Sequence, residues 1–159
     1  MCKLWQEGDQ FLESVVDIVE LGAGCGLCGL VCAKLIDLSI STRMYAPSDE
    51  IRIILTDYDP GSLSLLGENI ELNGLKAASD TTNRPVMVVE DLKWGDCVQS
   101  LKRRDTSESD NSVLVVGSDL IYCDAVIKPL FTTVHSTLSG RGRFLLSFSF
   151  DIGNVSVFQ

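Results

Sequence analysis

Histidine is almost missing from this chain, with His135 the single example among 159 residues. A zinc centre built on Cys25-x-x-Cys28 would need two further ligands, and only His135 and four scattered cysteines remain to supply them. No metal site is therefore expected. Positive charge is also scarce. Thirteen Lys and Arg stand against 22 Asp and Glu, for a net charge of −9. Binding to a phosphate backbone needs clustered lysine and arginine. The one basic cluster, Lys102–Arg104, sits beside the acidic DTSESD and reads as a solvated loop. Nucleic acid is thus excluded as a leading partner. No apolar run approaches the roughly 20 residues of a membrane-spanning helix, and the opening MCKLWQEGDQ lacks the apolar centre of a signal peptide. The six cysteines lie scattered through an ordinary composition, as small reduced side chains do, and form no disulfide frame. A soluble cytoplasmic domain with no membrane partner is the expectation.

What the chain does contain is alternation. VVDIVEL (Val15–Leu21) has the apolar run of a buried strand. GLCGLVCAKLIDL (Gly26–Leu38) follows with helical spacing, small residues on one face, and Leu27, Leu30, Val31 and Leu35 available for packing. IRIILT (Ile51–Thr56) is a second strand. In Gly61–Gly74, Leu63, Leu66 and Ile70 share a helical face that stops at Asn73-Gly74. PVMVVED (Pro85–Asp91) and SVLVVGSD (Ser112–Asp119) are the third and fourth strands, the latter apolar enough for the middle of a covered parallel sheet. Ile127, Leu130, Phe131, Val134 and Leu138 recur at helical spacing, and Pro129 places the regular start of that helix near Lys128. His135 falls on this helix as a surface or packing residue. GRFLLSFSF (Gly142–Phe150) is the fifth strand. The polar stretches Ser39–Glu50 and Arg103–Asn111 are surface loops. The order implies one doubly wound α/β domain over 1–159, with right-handed crossovers.

The glycine-rich stretch ELGAGCGLCGLV (Glu20–Val31) lies where the first strand meets its helix, the usual ligand position in such sheets. Three chemistries compete for it. Gly24 to Gly29 matches the dinucleotide pattern G-x-G-x-x-G, but in the wrong frame. Counted from Gly22, directly after the strand, the third glycine is replaced by Leu27, and no basic residue nearby helps with a pyrophosphate. A redox or metal Cys25-x-x-Cys28 lacks partners. S-adenosylmethionine, a cationic nucleoside with no phosphate, tolerates Glu20 beside the turn, and free amides at the helix start could meet its carboxylate. LTDYDP ends the second strand with Asp57, a carboxylate able to accept hydrogen bonds from both ribose hydroxyls. Asp59 is the better candidate for capping the next helix.

VELGAGCGL, LTDYDP, NIELNG, EDLKWGD and VGSDLIYCD together resemble the seven-strand S-adenosylmethionine-dependent methyltransferases. More narrowly, they are similar to the protein-lysine methyltransferases with an Asp-x-x-Tyr motif. The likeness runs from about Val15 to Phe150. It implies a Rossmann-like, mostly parallel sheet. It also implies that Gly22, Ala23 and Gly24 line the methionine part of the cofactor, that Asp57 holds the ribose, and that Trp94 packs near the adenine. Ser118 would contact the cofactor from the other side. Asp119 and Tyr122 would form the Asp-x-x-Tyr pair at the mouth where a lysine side chain of a protein substrate enters.

Two departures accompany the resemblance. The family has a longer segment before the first strand, with a tryptophan that closes over the cofactor, and Trp5 lies too near the glycine loop to match it. A sixth and seventh strand, an antiparallel pair, are implied but absent after Phe150. An incomplete domain with an exposed fifth-strand edge is the expectation. The alternatives are a methyltransferase for a small molecule and a non-catalytic binding module that keeps the fold.

Overall fold

The computed structural model describes residues 15–42, 51–75, 85–102, 112–138 and 142–148. Branched apolar side chains, suited to a covered pleated surface, dominate Val15–Leu21 (β1), Arg52–Asp57 (β2), Val86–Asp91 (β3) and Ser112–Ser118 (β4). Arg143–Ser147 (β5) joins them in one sheet of order β3-β2-β1-β4-β5, with every neighbouring pair parallel. Helices Leu27–Ser41 (α1), Pro60–Leu72 (α2), Gln99–Lys102 (α3) and Asp124–Thr137 (α4) lie in the connections. This is the doubly wound α/β arrangement the alternation implied.

Side chains one residue apart on a strand point to opposite faces, and the core divides accordingly. Ile53, Leu55, Leu114 and Val116 pack with Ala33 and Ile36 of α1 and Leu66 and Ile70 of α2. Ile54, Val113 and Val115 face the other way, onto Leu130 and Val134 of α4. Asp17, 3% exposed, is paired with Arg52 at 2.6 Å and ties β1 to β2 at the end away from the turns.

Four local expectations are corrected. In α1, Leu27 and Val31 are exposed, and the helix packs through its smaller residues, Gly29, Cys32 and Ala33, together with Ile36. A side chain at Gly29 would meet Leu55 at 2.2 Å, so the close approach of helix to sheet admits no Cβ there. That helix also continues to Ser41, into the stretch read as a loop. The short α3 had no signal in the apolar pattern.

Helix α4 starts at Asp124 rather than near Lys128, and Pro129 lies inside it. An internal proline costs about 3 kcal/mol. Full burial of Leu130 and near-full burial of Val134, about 1.5–3 kcal/mol each, offset that cost. β5 stops at Ser147, and among the described residues it is an edge strand paired with β4. Cys2 and Trp5, the loop residues 43–50 and 103–111, and the expected strand end Ser149 and Phe150 lie outside the described residues.

Candidate active site

Between β1 and β4 the strand order reverses, and the connections leave on opposite faces of the sheet. A crevice opens at the carboxyl ends of the strands at such a point. Here it is a cavity of about 300 Å³, lined in part by Gly22, Asp57, Trp94, Ser118, Asp119 and Tyr122. Those six residues come from three strand ends and two loops. Tyr58, Leu92 and Leu120 complete the lining and were not singled out in the sequence. Each is the direct neighbour of a residue that was, or of a strand end: Tyr58 after Asp57, Leu92 after β3, Leu120 after Asp119. A search for polar and glycine positions passes over them.

Asp57 organises the turn as well as facing the cavity. One carboxylate oxygen accepts the Gly24 amide at 2.9 Å. The other accepts the amides of Tyr58 at 2.8 Å and Asp59 at 3.0 Å. Asp59 caps α2, accepting the Ser62 amide at 2.8 Å, so the capping role does not fall to Asp57. The Ala23 amide donates to the Thr56 carbonyl at 2.8 Å. Ala23 and Gly24 therefore sit in the turn beneath the cavity, fastened to β2 through their backbones, while Gly22 faces the opening.

Gly22 adopts φ +57°, and a Cβ there would lie 2.8 Å from Leu120 and 3.1 Å from the Trp94 ring. The indole thus lies directly over the glycine. Tyr122, 68% exposed, stands beside it with ring centroids 6.4 Å apart and planes tilted by 37°. Asp119 follows β4 at φ 59°, a left-handed conformation that aspartate tolerates better than most residues. Its amide donates to the Ser147 carbonyl at 2.8 Å and joins the ends of β4 and β5. His135 is exposed on α4, away from the cavity lining.

Glu20 corrects one expectation. Its carboxylate is buried, 5% exposed, and accepts the Gly29 amide at 2.8 Å. It also bonds the amide and the thiol of Cys28. The start of α1, where no residue of the helix's own cap bonds through its side chain, is capped from the strand instead. The Cys28 and Gly29 amides are consequently taken and do not remain for a cofactor carboxylate. Burial and the neighbouring Glu20 raise the Cys28 thiol above its ordinary range, and the same causes push Cys32 up to about 12. Thiols held protonated in this way are poor nucleophiles and poor metal ligands. Among the described residues, no group of three or more His, Cys, Asp or Glu is placed to hold a metal ion.

Burial also raises the Glu20 carboxyl above the ordinary carboxylate range, against the opposing pull of the amides and thiol that bond it. The folded chain then holds this proton more tightly than the unfolded chain does. The stability it contributes is complete below the unfolded value, about 4.3, and is lost as pH rises through the folded one. Denaturant unfolding of the parent and Glu20→Gln is expected to show this as a difference. The parent should lose stability relative to the variant as pH climbs from about 4. A difference that stays flat or grows in the parent's favour would contradict the burial of this charge.

Comparison with known proteins gives the site a family. A family model described as lysine methyltransferase matches residues 4–152. The chain is 31% identical over 130 residues to the protein N-lysine methyltransferase METTL21A of Mus musculus, covering 81% of this chain and 47% of that protein. It is 26% identical over 155 residues to the protein N-terminal and lysine N-methyltransferase EFM7 of Kluyveromyces lactis, covering 92% of this chain and 56% of that one. The chain spans about half the length of the curated relatives it matches. By the match of nearly its whole length, the chain belongs to the lysine methyltransferase family, whose members take the methyl group from S-adenosylmethionine.

Proposed function

We propose that this chain binds S-adenosylmethionine in the cleft at the ends of β1, β2 and β4 and transfers its methyl group to a lysine side chain of a protein. The observation that carries the reading is the chemistry of the lining. Two carboxylates, Asp57 and Asp119, share the cavity with an indole and a glycine, and among the described residues no lysine or arginine lines it. Such a set favours a cationic nucleoside and disfavours a pyrophosphate. Asp57 stands where a carboxylate can accept from a ribose hydroxyl with the one lone-pair site its three backbone bonds leave over. Trp94 offers a flat apolar face to the adenine. Gly22 brings bare backbone to the lining, beside which the methionine part would lie.

When bound, the cofactor supplies a methyl group on a cationic sulfur. Because in-line transfer depends on alignment, the chain's main contribution is positioning, which in well-oriented reactions is worth roughly 7–11 kcal/mol. Lysine arrives as an ammonium, its ordinary pKa being about 10.4, and gives its proton to solvent before the free amine attacks. Asp119 attracts and orients that ammonium at the mouth. The exposed ring of Tyr122 covers the aliphatic stem, and its hydroxyl can accept a hydrogen bond from the amine. Neither is assigned as a general base. The names of the two relatives support a protein acceptor. The six cysteines, scattered through the sequence with no disulfide-frame spacing, support a reducing, cytoplasmic setting.

The test separates cofactor from acceptor. Asp119→Ala is expected to lower methyl transfer to protein by about a hundredfold or more while cofactor affinity falls by less than about tenfold. Transfer would be read as radiolabelled methyl incorporated into lysates lacking the active protein. Equal transfer by parent and variant would remove Asp119 from the reaction. Labelling confined to small molecules would replace the protein acceptor, and cofactor binding without any transfer would favour a binding module.

A further inference from the structure

Trp94 is carried by a turn, not by a strand or helix. Residues 92–98 link β3 to α3, with the Asp96 amide donating to the Lys93 carbonyl at 3.1 Å. On one side the turn is held to the sheet by the Leu92 amide, which donates to the Asp57 carbonyl at 2.9 Å. On the other side it meets α4, where Leu92, Trp94 and Val98 pack with Leu130 and Val134 and one side chain hydrogen-bonds the turn's backbone. Thr133 Oγ1 accepts the Gly95 amide at 2.7 Å and donates to the Asp96 carbonyl at 3.0 Å.

This use of a helical threonine is unusual within its own helix. A mid-helix hydroxyl ordinarily turns back to the carbonyl one turn earlier. Thr132 does so to Lys128 at 2.9 Å, and Thr137 does so to Thr133 at 2.7 Å. Thr133, with no exposed surface, directs both its donor and its acceptor to the turn instead. Gripping Gly95 and Asp96 fixes the two residues immediately after Trp94. The ring those bonds steady is the one that lies over Gly22 and beside Tyr122. The same helix starts right after Tyr122 and Cys123, so α4 connects the two sides of the cleft.

We propose that Thr133 is a positioning residue that holds the Trp94 ring over the glycine turn and thereby sets cofactor affinity, a role that rests on the cofactor reading above. It touches neither cofactor nor substrate and acts through Trp94 alone. Gly95 and Asp96 are exposed, so when the hydroxyl is lost both groups turn to water and the backbone beside Trp94 loosens, while Leu92 and Val98 stay packed at the ends of the turn.

The experiment compares Thr133→Val, which keeps the shape and loses the hydroxyl, with Thr133→Ser, which keeps the hydroxyl. Both are made in the 159-residue chain carrying Trp5→Phe, so that fluorescence reports Trp94, the only other tryptophan. Thr133→Val is expected to make Trp94 more accessible to acrylamide quenching and to weaken S-adenosylmethionine binding about tenfold, the effect of one to two lost hydrogen bonds. Thr133→Ser should return both to within about twofold of the parent. Unchanged quenching in Thr133→Val, or quenching and affinity equally altered in Thr133→Ser, overturns the proposal. A parent that binds no cofactor while Thr133→Val alone frees Trp94 would overturn the cofactor reading and leave the grip on Trp94 standing. Should Thr133→Val not fold, native-state hydrogen exchange on the unaltered chain decides the grip. A Gly95 amide as slow as the amides of α4 supports it, and one exchanging at the solvent rate overturns it.

Discussion

Asp57→Ala is expected to weaken S-adenosylmethionine binding by roughly two orders of magnitude, the largest effect of any single polar change in the cleft. Hydrogen bonds to a charged acceptor are worth about 1.5–3 kcal/mol each, and about 1.4 kcal/mol is tenfold in affinity. The carboxylate faces the cavity and also holds the Gly24 amide at 2.9 Å, so its loss removes ligand contacts and loosens the turn together. Calorimetric titration reads the first and thermal unfolding the second. Asp59→Ala provides the control. It removes the cap of α2, worth about 1 kcal/mol, from a residue outside the cavity lining. It should lower the melting temperature while leaving cofactor affinity within about twofold. Equal losses of affinity in the two variants would mean that Asp57 acts only through folding.

Gly22→Ala carries the second large effect, and Gly24→Ala separates its causes. Both glycines have positive φ, +57° and +54°, so each alanine bears a left-handed backbone costing about 1–2 kcal/mol. Only at Gly22 does the added methyl also collide, at 2.8 Å from Leu120 and 3.1 Å from Trp94. At Gly24 nothing lies within 4 Å of it. Overpacking adds about 1–3 kcal/mol. Gly22→Ala should therefore lose about 2–5 kcal/mol of stability and Gly24→Ala about 1–2. The larger consequence is for the ligand, because the new methyl displaces the Trp94 ring and fills the floor of the cleft. Cofactor binding in Gly22→Ala is expected to be undetectable at concentrations that saturate Gly24→Ala. The reverse order in stability or binding would show that the ring does not lie over Gly22.

The two glycines also mark how far the sequence could be read. The strand-to-turn boundary at Leu21 and the frame beginning at Gly22 were both legible, because an apolar run ended where a glycine began. Six of the nine lining residues were legible for the same reason: each follows directly from a strand end or lies in a short motif near one. What could not be read was the use of Glu20. A carboxylate beside a glycine turn is compatible with facing a cationic ligand, and its chemistry alone does not say which way it points. Packing decides it, since α1 approaches closely enough at Gly29 to put the carboxylate against its first amides.

Helix faces show a related limit. In α2, Leu66 and Ile70 are buried as their spacing implied. In α1, Leu27, Val31 and Leu38 point outward while Gly29, Cys32 and Ala33 join Ile36 at the sheet, because a helix pressed this close takes small side chains at much of the contact. Hydrophobicity alone therefore assigns that face wrongly. Pro129 misled in the same manner, since a proline rule describes the local chain and not the burial that offsets its cost. The contact from Thr133 to the Trp94 turn joins residues 38 apart, a separation no local pattern records.

Titration of the folded 159-residue chain with S-adenosylmethionine, with NAD in a parallel cell, tests the cofactor reading most directly. The acidic cleft, with no basic lining among the described residues, predicts saturable one-to-one binding of S-adenosylmethionine and none of NAD. Binding of NAD in preference, or a folded chain that binds neither, would contradict the account.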